Sequence, residues 1–165
     1  MFVIGLDPGS RYTGYGIIEK SGQDLRHVTS GRINAVKAGD FADRLEVIYG
    51  ALTDILAEFE CTTAAMEGIF TARNAMSSLK LGHARGVSML ALRHANLDVA
   101  EYAPAKVKQA VAGHGRARKE DVARMVKMAL QIKDAKLSED ASDALAVAIC
   151  HCQMIDFERR LGDRA

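Results

Sequence analysis

Near its start the chain carries an apolar run, Phe2, Val3, Ile4 and Leu6, that stops on an acid: Asp7, followed at once by Pro8 and Gly9. The run has the length and composition of a strand buried on both faces, and the Pro-Gly pair breaks it. Asp7 therefore stands where a core strand runs out. A second strand over residues 14–19 begins at Gly14, which makes 8–14 a hairpin connection. An ionised carboxylate on a central strand is costly to bury unless it binds a cation or accepts hydrogen bonds. Asp7 is thus either a cation ligand or an acid that shapes the turn by accepting backbone amides.

The pattern repeats further on. A third strand over 26–34 completes an antiparallel meander. Residues 40–60 then show Phe41, Leu45, Ile48, Leu52, Ile55 and Leu56 at helical spacing, with Asp40 as the N-cap. Residues 62–66 form another short apolar run, and it too ends on an acid, Glu67, before Gly68. A long helix over 74–95 places Met76, Leu79, Leu81, Val87, Leu90 and Ala91 at its apolar positions among many small residues. Its glycines, Gly82 and Gly86, each cost about 1 kcal/mol relative to Ala. Close approach to the sheet, or to a second copy of the chain, is the expected compensation. Residues 97–102 make a fifth strand, and Pro104 suits the first turn of a short helix ending at 112. A basic glycine-containing loop over 113–119 leads to a helix over 119–131. The last helix runs from 138 to 158, leaving 159–165 as a disordered tail after a single domain over 1–158.

Composition narrows the class. A chain of 165 residues, 48% of them apolar and 26% charged, can bury one core of its own. No apolar run approaches the ~18 residues of a membrane helix and no leader opens the chain, so a cytoplasmic location is expected. Cys61, Cys150 and Cys152 are an odd count without C-x-x-C spacing, which suggests neither a disulfide framework nor a zinc knuckle. The net charge of +1 hides a contrast. Residues 104–136 hold nine Lys or Arg against three acids, a net +6, so the rest of the chain carries −5. A basic segment on an acidic body suits a polyanionic partner, and a solvated helix face has the same composition.

Two more acids complete the set. Asp140 and Asp143 are three apart, so both leave one face of the last helix's first turn. There they suit the helix dipole, and either can serve as a cap. If the first and fourth strands are parallel neighbours, however, Asp7 and Glu67 leave the sheet at the same carboxyl edge, where α/β sheets bind ligands. Four acids gathered there repel one another and call for cations. Magnesium fits, since it takes oxygen ligands and is commonly shared between a few carboxylates and substrate phosphates. Two such ions about 4 Å apart activate water and stabilise the leaving oxygen in phosphodiester cleavage.

The stretches Ile-Gly-Leu-Asp7-Pro-Gly-Ser-Arg-Tyr-Thr-Gly-Tyr-Gly, Met66-Glu67, Ser78-Leu-Lys-Leu-Gly-His-Ala-Arg-Gly and Asp140-Ala-Ser-Asp143-Ala-Leu-Ala resemble the RuvC family of bacterial Holliday junction resolvases. The likeness covers about residues 2–156. It implies an α/β, RNase H-like fold: a five-stranded mixed sheet, three antiparallel strands then parallel ones, flanked by helices. It also implies a homodimer that makes paired nicks in four-way junction DNA with two Mg²⁺ ions per site, Mn²⁺ substituting, in recombination and repair. Asp7, Glu67, Asp140 and Asp143 match the family's catalytic metal-binding carboxylates. Lys108 and Lys119 match basic positions near the cleaved strand, and Phe70 an aromatic that stacks at opened base pairs. Arg116 and Arg118, in a loop more basic than usual, are expected phosphate contacts. A partnership with the RuvA–RuvB branch-migration complex is likewise implied. One position departs from the pattern: the family commonly has Gln after the catalytic Glu, and this chain has Gly68. The Gly5 to Gly14 stretch also resembles the first phosphate loop of actin-like ATPases and sugar kinases, but those enclose ATP between two such domains. A small RNase H-like RNA-processing nuclease would share Asp7. A junction-binding module without catalysis is a third alternative.

Overall fold

A computed structural model describes residues 1–68, 74–133 and 137–162. Ten elements follow in chain order: β1 (Phe2–Asp7), β2 (Tyr12–Ser21), β3 (Asp24–Asn34), α1 (Phe41–Glu58), β4 (Thr63–Glu67), α2 (Ala75–His94), β5 (Val99–Tyr102), α3 (Pro104–Ala112), α4 (Lys119–Ala129) and α5 (Glu139–Gly162). The strands form one sheet in the order β3-β2-β1-β4-β5. β1 and β2 are antiparallel, as are β2 and β3, whereas β4 and β5 run parallel to β1. This is the RNase H-like mixed sheet that the sequence resemblance implies.

β1 alternates its side chains between two cores, as the period of a strand requires. Ile4 and Leu6 point to a layer where Ile48 and Leu52 of α1 meet Ala84, Ala91 and Leu92 of α2. Val3 points the other way, into a layer built from α5 with Val107 and Val111 of α3 and Val122 and Val126 of α4. Asp40 caps α1 as its sequence predicts, accepting the amides of Ala42 and Asp43 while the Asp43 carboxylate accepts the Asp40 amide. α5 is the central helix, buried almost without break from Ala141 to Cys152.

α5 comes close to the sheet because the sheet lacks side chains beneath it. Gly5 and Gly16 are cross-strand partners, as are Asp7 and Gly14. A Cβ at Gly5 would lie 2.2 Å from the Ala144 carbonyl oxygen, and one at Gly14 only 2.0 Å from that of Asp140. Gly16 packs against Leu145 in the same way. Three glycines therefore form the floor on which α5 rests, and that floor fixes where its first turn sits. Ser138 ends the approach by accepting the Ala141 amide on its Oγ at 3.2 Å.

Three expectations differ from the structure. The inward face of α2 is Ala84, Arg85, Ser88, Ala91 and Leu92, while Met76, Leu79 and Leu90 are exposed. Among the described residues nothing lies within 4 Å of a Cβ built at Gly82 or Gly86, so these glycines do not serve close approach to the chain's own sheet. The small and polar residues face inward, where α2 packs chiefly on α1, and the large apolar ones are left outside. The final helix continues to Gly162, so residues 159–162 of the expected tail are helical. β5 starts at Val99, two residues late, because Asn96 takes a left-handed turn (φ 59°) and Leu97 goes into the core. Among the described residues no helix is long and apolar enough to cross a membrane.

Candidate active site

The parallel pairing of β1 with β4 ends at Leu6 and Met66, so Asp7 and Glu67 are the next residues on two adjacent strands. Both leave the carboxyl edge of the sheet. α5 crosses above them and delivers Asp140 and Asp143 from its first turn. The electrostatics show how near the four acids are. Burial pushes the Asp7 carboxyl up to about 7, helped by the charges of Asp143, Glu67 and Asp140 in that order and opposed by Lys119. Burial likewise raises Glu67, with Asp143 adding to the rise and Lys119 and Lys108 opposing it. Asp143 is raised by burial against the pull of Lys119. The site is thus short of positive charge.

Cations reach it from the flanks. Lys119, the first residue of α4, ion-pairs with Glu139 and lies 3.3 Å from Asp143 Oδ2. The hydrogen bond to Glu139 is the main reason its ammonium is held above the usual lysine range, and the same contact lowers Glu139. From β3, Arg32 Nη1 stands 3.6 Å from Asp140 Oδ2. Lys108 of α3 lines a cleft with Glu67, Lys119 and Asp143; a neighbouring cleft is bounded by Asp7, Glu67, Gly68, Leu81 and Arg85. Arg116 and Arg118 lie exposed in the loop between α3 and α4. Phe70 falls outside the described residues.

Among the described residues no three His, Cys, Asp or Glu side chains are gathered closely enough to hold a metal ion by themselves. Asp140 lies beside Arg32 and Asp143 beside Lys119. The donor set nonetheless suits a hard divalent cation. It consists of carboxylate oxygens, and the raised carboxyl of Asp7 marks a place where added positive charge is favourable. Thiolate ligation has no support, since burial pushes the Cys150 thiol up to about 11 and that of Cys152 up to about 12.

Three residues of the site were given no role by the sequence. Arg85, on the buried face of α2, donates to the Glu67 carbonyl oxygen at 2.5 Å and ion-pairs with Glu101. It ties the end of β4 to α2. Glu139 and Arg32 matter only through the partners they meet, and those partners lie 20 residues or more away in the chain. His151 also finds a place: its ring nitrogens contact Thr63 Oγ1 at 2.8 Å and the Tyr102 hydroxyl at 2.7 Å, so β4 and β5 are tied to α5.

Gly68 is not demanded by the backbone. Its φ is not left-handed, and among the described residues a Cβ there would stand 3.3 Å from the Tyr102 carbonyl oxygen and in ordinary contact with Ala103, so a small shift of that oxygen admits a side chain.

Comparison with known proteins identifies the family. The family model described as crossover junction endodeoxyribonuclease RuvC matches residues 3–151. The chain is 50% identical over 159 residues to the protein of that description from Alkalilimnicola ehrlichii, covering 96% of this chain and 95% of the relative. It is 54% identical over 151 residues to the one from Syntrophotalea carbinolica, covering 92% and 93%. Its fold is similar to that of T. thermophilus RuvC solved in complex with a Holliday junction substrate. The TM-score is 0.88 at 33% identity, over 98% of this chain and 96% of that one.

Proposed function

Because the chain belongs to the RuvC family, the Holliday junction resolvases that act by a two-metal-ion nuclease mechanism, we propose that Asp7, Glu67, Asp140 and Asp143 are its metal-binding and catalytic carboxylates. The observation that carries this reading is the Asp7 carboxyl raised to about 7 by burial and by the three other acids. Added positive charge stabilises a cluster so loaded at neutral pH. Mg²⁺, with Mn²⁺ as a substitute, supplies it. When bound there, a pair of such ions activates the attacking water and stabilises the leaving oxygen of a phosphodiester.

The chain's own residues do the rest. Asp7 and Glu67 hold fixed positions because strand pairing carries them to the sheet edge. Asp140 and Asp143 are held by the seating of α5 on the glycine floor. Lys108 and Lys119 stand beside Glu67 and Asp143, where they can take a phosphate oxygen of the strand being cut. Arg116 and Arg118 extend that basic path from an exposed loop. Their contacts supply affinity, and the shape of the junction supplies selectivity.

The exposed residues of α2 support a homodimer. Leu79, Gly82, His83, Gly86 and Val87 line an open apolar groove, with Met76 and Leu90 exposed on the same helix. A two-fold assembly sets two such sites on one substrate and accounts for paired nicks. We place the protein in the cytoplasm as a single nuclease domain acting with the RuvA–RuvB branch-migration complex, as the family membership implies.

The test is incubation with Mg²⁺ and a labelled mobile four-way junction, beside linear duplex and an RNA–DNA hybrid, with Asp7→Asn as control. Paired symmetric nicks in the junction alone, absent from the variant, are expected. Binding without cleavage would remove the catalytic assignments, and cleavage of the hybrid would move the substrate to RNA.

A further inference from the structure

Asp7, Gly14 and Arg32 form one transverse row across the sheet, since Asp7 pairs with Gly14 and Gly14 pairs with Arg32. Paired positions on adjacent strands point to the same face. All three therefore face α5, and the Asp140 backbone lies directly over the middle one, Gly14. Strands one apart are about 4.8 Å from each other, so Asp140 stands roughly midway between Asp7 and Arg32, some 10 Å apart. Its short side chain can serve one side or the other. In this structure Oδ2 lies 3.6 Å from Arg32 Nη1.

Arg32 is itself held. Its guanidinium carbon lies 4.2 Å from the centroid of the Tyr12 ring, a stacked cation–π contact. Tyr12 pairs with Asn34, two residues beyond Arg32, so the two side chains are diagonal neighbours on one face. A cation fixed in this way does not follow the carboxylate when it turns. Asp140 has to leave it.

We propose that Arg32 is a positioning residue for Asp140, holding its carboxylate on the β3 side of Gly14 and giving it up when a divalent cation enters the site. The inference rests on the reading of Asp140 as a metal ligand. It makes Arg32 an internal competitor for the metal, and the contact sets how much cation is needed before the four acids converge.

The test is a calorimetric titration of Mn²⁺ into the full-length, DNA-free protein, comparing wild type with Arg32→Met, Arg32→Lys and Asp140→Asn. An exposed ion pair is worth little, so Arg32→Met is expected to bind Mn²⁺ about threefold more tightly. Arg32→Lys, which keeps the charge but cannot stack flat on Tyr12, is expected between the two. Asp140→Asn is expected to bind more weakly than wild type. Equal or weaker Mn²⁺ binding by Arg32→Met, in a protein that nicks junctions and whose affinity responds to Asp140→Asn, overturns this inference alone. A wild type that neither binds Mn²⁺ nor nicks junctions overturns the metal-site reading and this inference together.

Discussion

Gly14 lies so close beneath the first turn of α5 that a Cβ on it would stand 2.0 Å from the carbonyl oxygen of Asp140. A backbone oxygen cannot rotate out of the way, so Gly14→Ala lifts the start of α5 and with it Asp140 and Asp143. Overpacking of this kind costs about 1–3 kcal/mol, and a displacement near 1 Å at a reacting centre costs about 100-fold in rate. Gly14→Ala is expected to stay folded, melt at a lower temperature and nick a four-way junction about 100-fold more slowly. Single-turnover nicking beside a thermal melt checks both; an unaltered rate would show that α5 is not seated by this glycine.

The raised carboxyl of Asp7 makes the metal-free protein sensitive to pH. Its value of about 7 in the folded chain exceeds the usual 3.8, so between those values the folded state holds a proton that the unfolded state has lost. Stability therefore falls as pH rises from about 4 to about 7, and then levels. Asp7→Asn removes this penalty. In chelator at pH 8 the variant is expected to be more stable than wild type by on the order of 2–4 kcal/mol, with the advantage shrinking toward pH 4. Adding Mg²⁺ is expected to stabilise wild type more than Asp7→Asn. Denaturant titrations at the two pH values check this, and a variant no more stable than wild type at pH 8 would contradict it.

What the sequence made legible and what it hid follow from one distinction. Strand-end acids are local events: an apolar run, an acid, then Pro-Gly or Gly, and so Asp7 and Glu67 could be placed before any pairing was known. Asp140 and Asp143 needed only helical spacing. By contrast, Arg32 owes its position to register, since it meets Asp140 only because Gly14 pairs with Asp7 on one side and with Arg32 on the other. No local pattern encodes that. The apolar positions of α2 misled for a related reason. Its buried face, packed chiefly on α1, is made of the small residues Ala84, Ser88 and Ala91, so hydrophobicity alone marked the outward side.

Among the described residues, Arg85 is the one buried cation that holds a strand end of the site. It donates to the Glu67 carbonyl oxygen and pairs with Glu101 while only 7% exposed. Truncation leaves that carbonyl and that carboxylate without their partner, and loss of one member of a buried pair costs about 3–5 kcal/mol. Glu101 is half exposed and recovers water, so Arg85→Met is expected to cost less than that, about 2–3 kcal/mol. Urea unfolding measures it. Arg85→Lys cannot reach both partners in the same fork and should restore only part of the loss.

The basic loop is predicted to act on affinity rather than on chemistry. Arg116 and Arg118 are exposed. Each phosphate contact removed lowers the slope of log affinity against log salt by about 0.9. The double variant Arg116→Ala, Arg118→Ala is expected to bind a junction more weakly with a slope shallower by nearly 2, while nicking at saturating protein keeps its rate. Binding measured in Ca²⁺ across a salt series, with single-turnover nicking alongside, separates the two effects. A lost rate at saturation would place one of these arginines at the cleaved phosphate.

Leu79 tests the assembly. Its side chain is 56% exposed on α2, beside Gly82 and Gly86, where a Cβ would meet open space. Those glycines cost the helix about 1 kcal/mol each relative to Ala, and nothing described within the protomer uses the room they leave. A second α2 packed across a two-fold axis, as proposed, would use it and would bury both copies of Leu79. Burying a leucine contributes about 2 kcal/mol, so losing both copies costs about 4 kcal/mol, roughly a thousandfold in dimer affinity. Leu79→Glu adds the desolvation of two like charges facing one another. Sedimentation velocity is expected to show wild type as two chains and the variant as one. The isolated variant should keep its fold, because Leu79 contributes nothing to either core, and should lose paired nicking while the metal affinity of each site is unchanged. A Leu79→Glu protein that still sediments as a dimer would move the interface off α2.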